Sequence, residues 1–181
     1  MEAEISKAIA EGYIKDFIDY LDVDVAIVGA GPSGMAAGYY LARKKVKTVI
    51  FERGLSVGGG MWGGGMMLNK IALQEPGKKV LDELGARCEK YGELWVADSI
   101  EAVATICLRA IKAGAKIFNL ISVEDVVLRD ERVVGIVLNW SATQIAKLHV
   151  DPLALHSKIV IDATGHESEI CKIVAKKIGP K

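Results

Sequence analysis

Apolar residues at the start of the chain recur every four positions, with polar residues between them. Ile5, Ile9, Tyr13, Phe17 and Leu21 follow this spacing, which would place them on one face of a helix. The pattern predicts an amphipathic helix over residues 1–21. Such a helix would either cover a sheet or meet a partner subunit, and we favour packing on the core.

The rest of the chain alternates short apolar runs with helical segments. Residues 25–28 are a continuous apolar run, and residues 46–51, after a helical segment that ends near Arg43, are mainly apolar. Residues 115–121 and 158–163 are similar, mainly apolar segments later in the chain. Short segments of this kind are typical of strands buried on both faces of a parallel sheet. We therefore predict an α/β, doubly wound fold with a mainly parallel central sheet.

Two further apolar runs, residues 123–128 and 133–138, are separated by four charged residues. A charged turn between two such runs predicts a β-hairpin or meander beside the parallel strands. Residues 139–157 show no regular pattern, and we expect them to be irregular.

Two helices are predicted between the 46–51 and 115–121 segments, with a short strand at residues 94–97 between them. The first covers residues 76–90, with Cys88 on its apolar face. The second begins after Asp98, a good N-cap with Glu101 three residues on, and ends at Gly114.

A glycine-rich turn follows the first apolar run. Gly29, Gly31 and Gly34 have the GxGxxG spacing. In such a turn the first glycine permits a tight bend, the second lets the backbone approach a pyrophosphate, and the third lets the helix lie close to the strand. Amides at the start of the helix would bind the phosphates. Such a turn can merely close a strand–helix junction, but the flanking strands and helix favour a dinucleotide site.

Glu52 ends the second predicted strand, 23 residues after Gly29. An acid about 20 residues beyond the glycines binds the 2'-hydroxyl of the adenosine ribose in dinucleotide sites. This spacing favours NAD, FAD or ADP over NADP.

Residues 53–70 are rich in glycine, with two runs of three glycines on either side of Met61 and Trp62. Glycine loses the most backbone entropy in a regular helix or strand, so we predict a loop. The loop could be a flexible linker, but Met66, Met67 and the other large side chains favour one that wraps a ligand.

The end of the 158–163 run should approach the glycine-rich turn. Ligands of open α/β sheets bind at the carboxyl ends of the strands. We therefore expect Gly165 and His166 to lie near Gly29 and Ser33. Val123 is a candidate contact for the adenine ring, with a simple strand start as the alternative.

Charge and cysteine content narrow the class of protein. The 181 residues include 23 Lys and Arg and 23 Asp and Glu, so the net charge is zero. This balance disfavours nucleic acid or an anionic membrane as a partner, and we expect no membrane span or signal peptide. Cys88, Cys107 and Cys171 are far apart, without a CxxC motif. They favour a reduced, cytoplasmic protein without disulfides.

All three histidines, His149, His156 and His166, lie within 18 residues of one another, with Asp151 among them. Imidazole and carboxylate ligands suit iron(II), zinc or manganese. No complete metal motif is present, and ordinary hydrogen-bonded histidines are the alternative.

Several segments together resemble the archaeal thiamine thiazole synthases. They are GAGPSG, FER, GGGMWGGGM with LNK, NWSATQIAKLHVDPLAL and IDATGH. The resemblance covers nearly the whole chain, residues 24–175. The resemblance implies a glutathione-reductase-like dinucleotide-binding fold. It also implies a thiamine biosynthesis enzyme of the transferase class that converts NAD and glycine into an adenosine diphosphate thiazole.

The resemblance also assigns roles to individual residues. The implied nucleotide contacts are Ser33, Glu52, Arg53, Gly60, Val123, His149, Val150 and Asp151. Asp151 and His166 would bind iron(II), and the metal site would be shared between subunits of a homo-oligomer.

The residue type at position 149 indicates which molecule donates the sulfur of the thiazole. In self-sacrificing members of the family a cysteine occupies this position and gives up its own sulfur. An imidazole has no sulfur to donate, so we predict that sulfide from solution is the donor. His149 would then be catalytic, moving protons near neutral pH, or it would only shape the pocket.

We divide the chain into an N-terminal amphipathic helix, residues 1–21, and a dinucleotide-binding domain, residues 22–181. The resemblance implies a further glycine-rich closing segment, with an arginine for the glycine carboxylate, that is absent from the sequence up to Lys181. Two other functions fit the same residues: an FAD-dependent oxidoreductase and a non-catalytic adenine-nucleotide-binding module.

Overall fold

The computed structural model describes residues 1–179, so the last two residues of the predicted domain lie outside the described part. The α-helices are α1 (Glu2–Asp19), α2 (Pro32–Arg43), α3 (Glu75–Leu84), α4 (Ser99–Ala113), α5 (Ser141–Ile145) and α6 (Glu169–Ile178). The strands are β1 (Asp22–Val28), β2 (Thr48–Glu52), β3 (Lys70–Leu73), β4 (Glu89–Tyr91), β5 (Leu94–Asp98), β6 (Lys116–Asn119), β7 (Ile121–Arg129), β8 (Arg132–Trp140) and β9 (Leu153–Asp162).

The central sheet has six strands in the order β6-β2-β1-β9-β8-β7. The first four strands are mutually parallel, and β7 and β8 form an antiparallel hairpin. The long strand β9 belongs to both parts, because its first residues pair with β8 and its later residues pair with β1. This arrangement confirms the predicted α/β fold with a mainly parallel sheet and a β-hairpin.

The register of the parallel strands brings three strand ends together. Val28 at the end of β1 lies opposite Phe51 of β2 on one side and Asp162 of β9 on the other. Because parallel strands share one direction, the chain leaves all three at the same edge of the sheet.

Two apolar clusters cover the two faces of the sheet. On one face, α2, α3 and α4 pack around the buried residues Ile27, Met35 and Ile50. On the other face, β7 and β8 pack against β1 and β2, joined by Phe17 of α1 and Ile170 of α6. Burial on both faces explains why the sequence segments that form the parallel strands are mainly apolar.

Helix α1 packs on the core through its second half. Phe17 is buried, and its ring meets the Phe118 ring edge to face with the centroids 5.4 Å apart. Residues 1–12 are all exposed, and Ile9 keeps 68% of its surface. Our expectation of core packing is therefore correct only for the second half, since the first half extends beyond the sheet.

Helix α3 ends six residues earlier than the sequence suggested. Gly85 adopts a left-handed conformation with φ of 94° and stops the helix after Leu84, as glycine commonly does at this position. The chain then turns into β4, which pairs with β5 in a three-stranded antiparallel sheet with β3. Cys88 therefore lies just before β4, and its predicted place on a helix is wrong.

Helix α4 begins and ends as predicted. The Asp98 carboxylate accepts hydrogen bonds from the amides of Ile100 and Glu101, each at 3.0 Å. Gly114 ends the helix with φ of 110°. Since both signals act within one turn of the helix, they could be recognised from neighbouring residues alone.

Residues 139–157 are more regular than expected. Strand β8 continues to Trp140, the short helix α5 follows directly, and β9 begins at Leu153. Among residues 1–179, no helix is long and apolar enough to cross a membrane.

Candidate functional site

A cavity of about 670 Å³ opens at the edge where β1, β2 and β9 end. Its walls come from the glycine-rich turn after β1, the end of β2, the loop after β2, the start of β7 and the turn after β9. The volume lies within the range of small-molecule and cofactor sites.

The glycine-rich turn after β1 is held by contacts that leave no room for side chains at two positions. Gly29 has φ of 102°, and a Cβ atom there would lie 2.4 Å from the Ala163 carbonyl oxygen. A Cβ atom on Gly34 would lie 2.0 Å from the Gly29 carbonyl oxygen. The third glycine therefore lets α2 pack closely on the turn and does not itself line the cavity.

Gly31 has different surroundings. A Cβ atom added there would meet nothing within 4 Å, and the residue lines the cavity together with Pro32 and Ser33. Gly31 is also the N-cap of α2, where no side chain accepts a hydrogen bond from the first turn. The first-turn amides of α2 are thus available to an anion in the cavity.

Glu52 lines the cavity at the end of β2. One carboxylate oxygen accepts a hydrogen bond from the Ala30 amide at 2.9 Å, and the other accepts one from the Gly54 amide at 2.7 Å. These bonds tie the glycine-rich turn to the end of β2 and fix the carboxylate. Each oxygen keeps a further lone pair that could accept a bond from a ribose hydroxyl.

Arg53 follows Glu52 on the cavity wall and forms an ion pair with Glu169, the first residue of α6. The Arg53 Nη1 atom lies 2.9 Å and 3.2 Å from the two carboxylate oxygens of Glu169. Glu169 is not among the site residues predicted from the sequence. Its position three residues after His166 was the available signal.

The glycine-rich loop after β2 contains two short turns of 3-10 helix, Gly59–Gly63 and Gly65–Met67. The Gly58 amide donates to the Ala30 carbonyl at 2.7 Å, and Ser99 of α4 donates to the Trp62 carbonyl at 3.2 Å. The loop is therefore fastened to the body of the protein, which argues against a flexible linker. Gly59, Gly60 and Met61 reach the cavity wall.

The start of β7 and α5 form another part of the cavity wall. Ile121, Ser122 and Val123 line this part together with Gln144. The Ser122 and Ser141 hydroxyls lie 3.1 Å apart and join the two elements. Val123 thus lies on the cavity wall, and its contact with an adenine ring stays a prediction.

The three histidines separate in the structure. His166 lies on the cavity wall in the turn after β9. His156 lies at the opposite edge of the sheet, where its Nδ1 atom is 2.7 Å from a carboxylate oxygen of Asp22 at the start of β1. His149 is exposed before β9. The histidines therefore do not form one cluster, and His156 is an ordinary hydrogen-bonded histidine.

The segment His149, Val150 and Asp151 lies outside the described cavity walls. All three residues are exposed, and the Val150 carbonyl accepts a hydrogen bond from the Asn139 side chain at 3.1 Å. Within residues 1–179 no group of three His, Cys, Asp or Glu side chains could hold a metal. Asp151 and His166 have the right chemistry for iron(II), but one chain brings only His166 to the cavity.

Asp162 at the end of β9 organises the turn that carries His166. Burial alone would raise the pKa of Asp162, but hydrogen bonds from Thr164 and from the Cys171 amide hold the pKa below its usual value. The Thr164 hydroxyl donates to Asp162 at 2.6 Å and accepts a bond from the Glu169 amide at 2.8 Å. These bonds join the end of β9 to the start of α6.

A model of the Thi4 family matches residues 6–181 of the chain. The chain is 59% identical over 181 residues to the thiamine thiazole synthase of Methanothermobacter thermautotrophicus, covering 99% of the chain and 70% of that relative. It is 53% identical over 174 residues to the thiamine thiazole synthase of Pyrococcus furiosus, covering 96% of the chain and 69% of that relative.

Solved structures give a similar result. The crystal structure of Thermovibrio ammonificans THI4 superimposes with a TM-score of 0.97 at 45% identity, covering 100% of this chain and 72% of that one. The L-proline dehydrogenase of P. horikoshii superimposes with a TM-score of 0.57 at 13% identity, covering 86% of this chain and 56% of that one. The second likeness concerns the fold alone.

Proposed function

We propose a reaction on the premise that this chain belongs to the Thi4 family and is an enzyme of thiamine thiazole biosynthesis. The proposed reaction converts NAD and glycine, with sulfide as the sulfur donor and iron(II) as the metal, into an adenosine diphosphate thiazole. The observation that carries it is the cavity at the strand ends, which joins the glycine-rich turn, Glu52 and Val123 in one space.

The proposed position of the nucleotide follows from the cavity walls. The pyrophosphate would lie at the start of α2, where Gly31 leaves open space and Ser33 offers a hydroxyl. The ribose would bind Glu52, whose carboxylate is already fixed by two amides. The adenine would then contact Val123 and Gln144, which line the same cavity.

The proposed iron site needs two copies of the chain. His166 lies on the cavity wall, whereas Asp151 is exposed and precedes β9. Asp151 of a second copy would complete the ligand set of His166, which supports a homo-oligomer. Iron(II) with two protein ligands keeps free positions for substrate groups and acts there as a Lewis acid.

The state of the cysteines supports sulfide from solution as the sulfur donor. Burial raises the pKa of the Cys88 thiol and that of the Cys107 thiol, and a hydrogen bond to Asp162 raises the pKa of the Cys171 thiol. A raised pKa keeps each sulfur in the less reactive thiol form. All three are free, and none lies on the described cavity walls.

His149 is the residue that we propose to move protons in this reaction. It would act from a second copy, together with Asp151 two residues later in the same exposed segment. An imidazole changes its charge near neutral pH and so can both accept and donate a proton. An alternative role is to shape the cavity without proton transfer.

An FAD-dependent oxidoreductase is the second candidate, because flavin-dependent enzymes share this fold. The flavin-dependent brominase Bmp2 superimposes with a TM-score of 0.61 at 17% identity. A flavoprotein would be purified as a yellow protein. The proposed function predicts instead a protein without flavin absorption that releases an adenine nucleotide when denatured.

The deciding experiment is an anaerobic reaction with NAD, glycine, iron(II) and sulfide, followed by mass spectrometry of the small-molecule products and of the intact protein. We expect an adenosine diphosphate thiazole formed in more than one equivalent per chain, with an unchanged protein mass. Loss of the mass of hydrogen sulfide from the polypeptide would refute sulfide as the donor. Nucleotide binding without product would favour a non-catalytic module.

A further inference from the structure

Arg53 lines the cavity together with two acids, Glu52 and Glu169. Glu52 precedes it in the chain, and Glu169 binds its Nη1 atom from the start of α6. The Glu52 carboxylate is bound to the amides of Ala30 and Gly54. Of these two acids, Glu169 is thus the one that forms the ion pair with Arg53.

An arginine at this place has a specific consequence for nucleotide choice. In dinucleotide folds, an acid at the end of the second strand binds the ribose 2'-hydroxyl, whereas a nearby arginine accommodates a 2'-phosphate. The end of β2 presents both residue types side by side, as Glu52 and Arg53, and both line the cavity. Glu52 favours a free 2'-hydroxyl, whereas an Arg53 without a partner would favour a 2'-phosphate, so the strength of the preference depends on what Arg53 binds.

The backbone of Glu169 is held in place by hydrogen bonds at the start of α6. Its backbone amide donates to the Thr164 hydroxyl at 2.8 Å, and Thr164 in turn donates to Asp162 at 2.6 Å. The Asp162 carboxylate also accepts a bond from the Cys171 amide in the first turn of α6. The carboxylate of Glu169 is therefore presented to Arg53 from an anchored helix start.

We propose that Glu169 is a specificity-determining residue that makes the site prefer NAD over NADP. Its carboxylate binds the Nη1 atom of Arg53 and adds negative charge at the cavity wall, so that a 2'-phosphate must compete for the guanidinium and meets repulsion. Glu52, Arg53 and Glu169 together carry one net negative charge. The inference rests on the proposed function, since it concerns the same nucleotide site.

The test compares the affinities of NAD and NADP by calorimetry in wild type and in Glu169→Gln. The substitution keeps the shape of the side chain and removes its charge, which frees Arg53 and relieves the repulsion. We expect the ratio of the NADP to the NAD dissociation constant to fall about tenfold, because one unit charge acts on a phosphate dianion across a partly hydrated surface. The change should shrink at high salt.

Glu167→Gln is the matched control. Glu167 lies two residues before Glu169, forms an ion pair with Lys172 at 3.0 Å and does not line the described cavity. This control should leave the ratio unchanged. The double variant Arg53→Gln with Glu169→Gln should also lack most of the gain in NADP affinity, because the proposed effect depends on the freed guanidinium.

The possible outcomes distinguish a failure of the role of Glu169 from a failure of the proposed function. An unchanged ratio in Glu169→Gln, with NAD still bound, would overturn the role of Glu169 and leave the proposed function standing. A wild type that binds neither nucleotide would overturn the proposed function and the inference with it. A full gain of NADP affinity in the double variant would show that Glu169 does not act through Arg53. Melting temperatures of all variants would reveal any loss of folding.

Discussion

Gly31 and Gly34 lie three residues apart in the same turn, yet substitution by alanine should affect them in different ways. A Cβ atom on Gly34 would lie 2.0 Å from the Gly29 carbonyl oxygen, whereas ordinary contacts begin near 3.4 Å. A Cβ atom on Gly31 would meet nothing within 4 Å. Gly34→Ala should therefore destabilise the fold, and Gly31→Ala should impair only the binding of a nucleotide.

The expected size of the Gly34→Ala effect follows from its surroundings. Overpacking costs about 1–3 kcal/mol, and a clash with backbone atoms belongs at the upper end because backbone cannot rotate away. Alanine recovers about 1 kcal/mol through its higher helix propensity. We expect a net loss of about 2 kcal/mol, which lowers the melting temperature of a chain of this size by about 4–8 °C.

Gly31→Ala should leave the free energy of unfolding unchanged or raise it slightly. Gly31 has φ of −70° and ψ of 179°, an extended conformation that alanine adopts without strain. Removing a glycine also lowers the entropy of the unfolded chain, which is worth about 0.4–1 kcal/mol. The methyl group would stand where we expect the pyrophosphate to approach, so NAD affinity should fall by about tenfold or more, as for other overpacked contacts.

The assay combines urea unfolding with calorimetric titration of NAD. Gly12→Ala is the matched control, since Gly12 is exposed on α1 and its added Cβ would also meet nothing within 4 Å. That variant should be slightly more stable and bind NAD normally. Unchanged NAD affinity in Gly31→Ala would refute the proposed approach of the pyrophosphate. Equal stability of Gly31→Ala and Gly34→Ala would refute the packing argument.

Three further predictions concern the proposed shared metal site, the turn after β9 and the core. Asp151→Asn and His166→Ala should each abolish stoichiometric iron(II) binding in anaerobic titration, and mixing the two variants as refolded subunits should restore part of it only if two copies share the site. Because the pKa of Asp162 is lowered in the folded protein, the Asp162 carboxylate stabilises the fold above the ordinary aspartate pKa, and this stabilisation is lost as the pH falls through the folded-state pKa. In Asp162→Asn, the free energy of unfolding measured in urea should therefore depend less on pH in the acid range. Ile50 is fully buried, so Ile50→Ala should lower the free energy of unfolding measured in urea by about 2–5 kcal/mol. A smaller loss would mean that the helices packed around Ile50 move into the cavity left by the smaller side chain.

Local patterns explain most of what the sequence predicted correctly. The apolar run of β1, the glycine spacing and the cap at Asp98 each depend on residues within a few positions of one another, and each was found in the structure. Helix α3 was predicted too long because Gly85 was read as an interior residue, although glycine is the usual helix terminator. The short strand predicted over residues 94–97 was found as β5. Its partners β3 and β4 were missed, since β4 has only three residues and all of them are exposed.

Sites that depend on distant residues were harder to predict. The sequence placed Glu52 and Arg53 correctly at the end of a strand, because an acid in that position has a known spacing from the glycines. Nothing in that pattern indicates that Arg53 forms an ion pair with a residue 116 positions later. Only the return of β9 beside β1 brings Glu169 to the cavity.

The return of β9 beside β1 also bears on the proposed metal site. It carries His166 to the cavity wall and leaves Asp151 exposed before the strand begins. If iron(II) binds His166 of one copy and Asp151 of another, as we propose, metal binding is linked to association, because the metal would hold two copies together. Iron(II) should therefore shift wild-type protein toward larger assemblies in anaerobic sedimentation, and Asp151→Asn should lose that shift while it keeps its melting temperature. An equal shift in the variant would place the metal elsewhere.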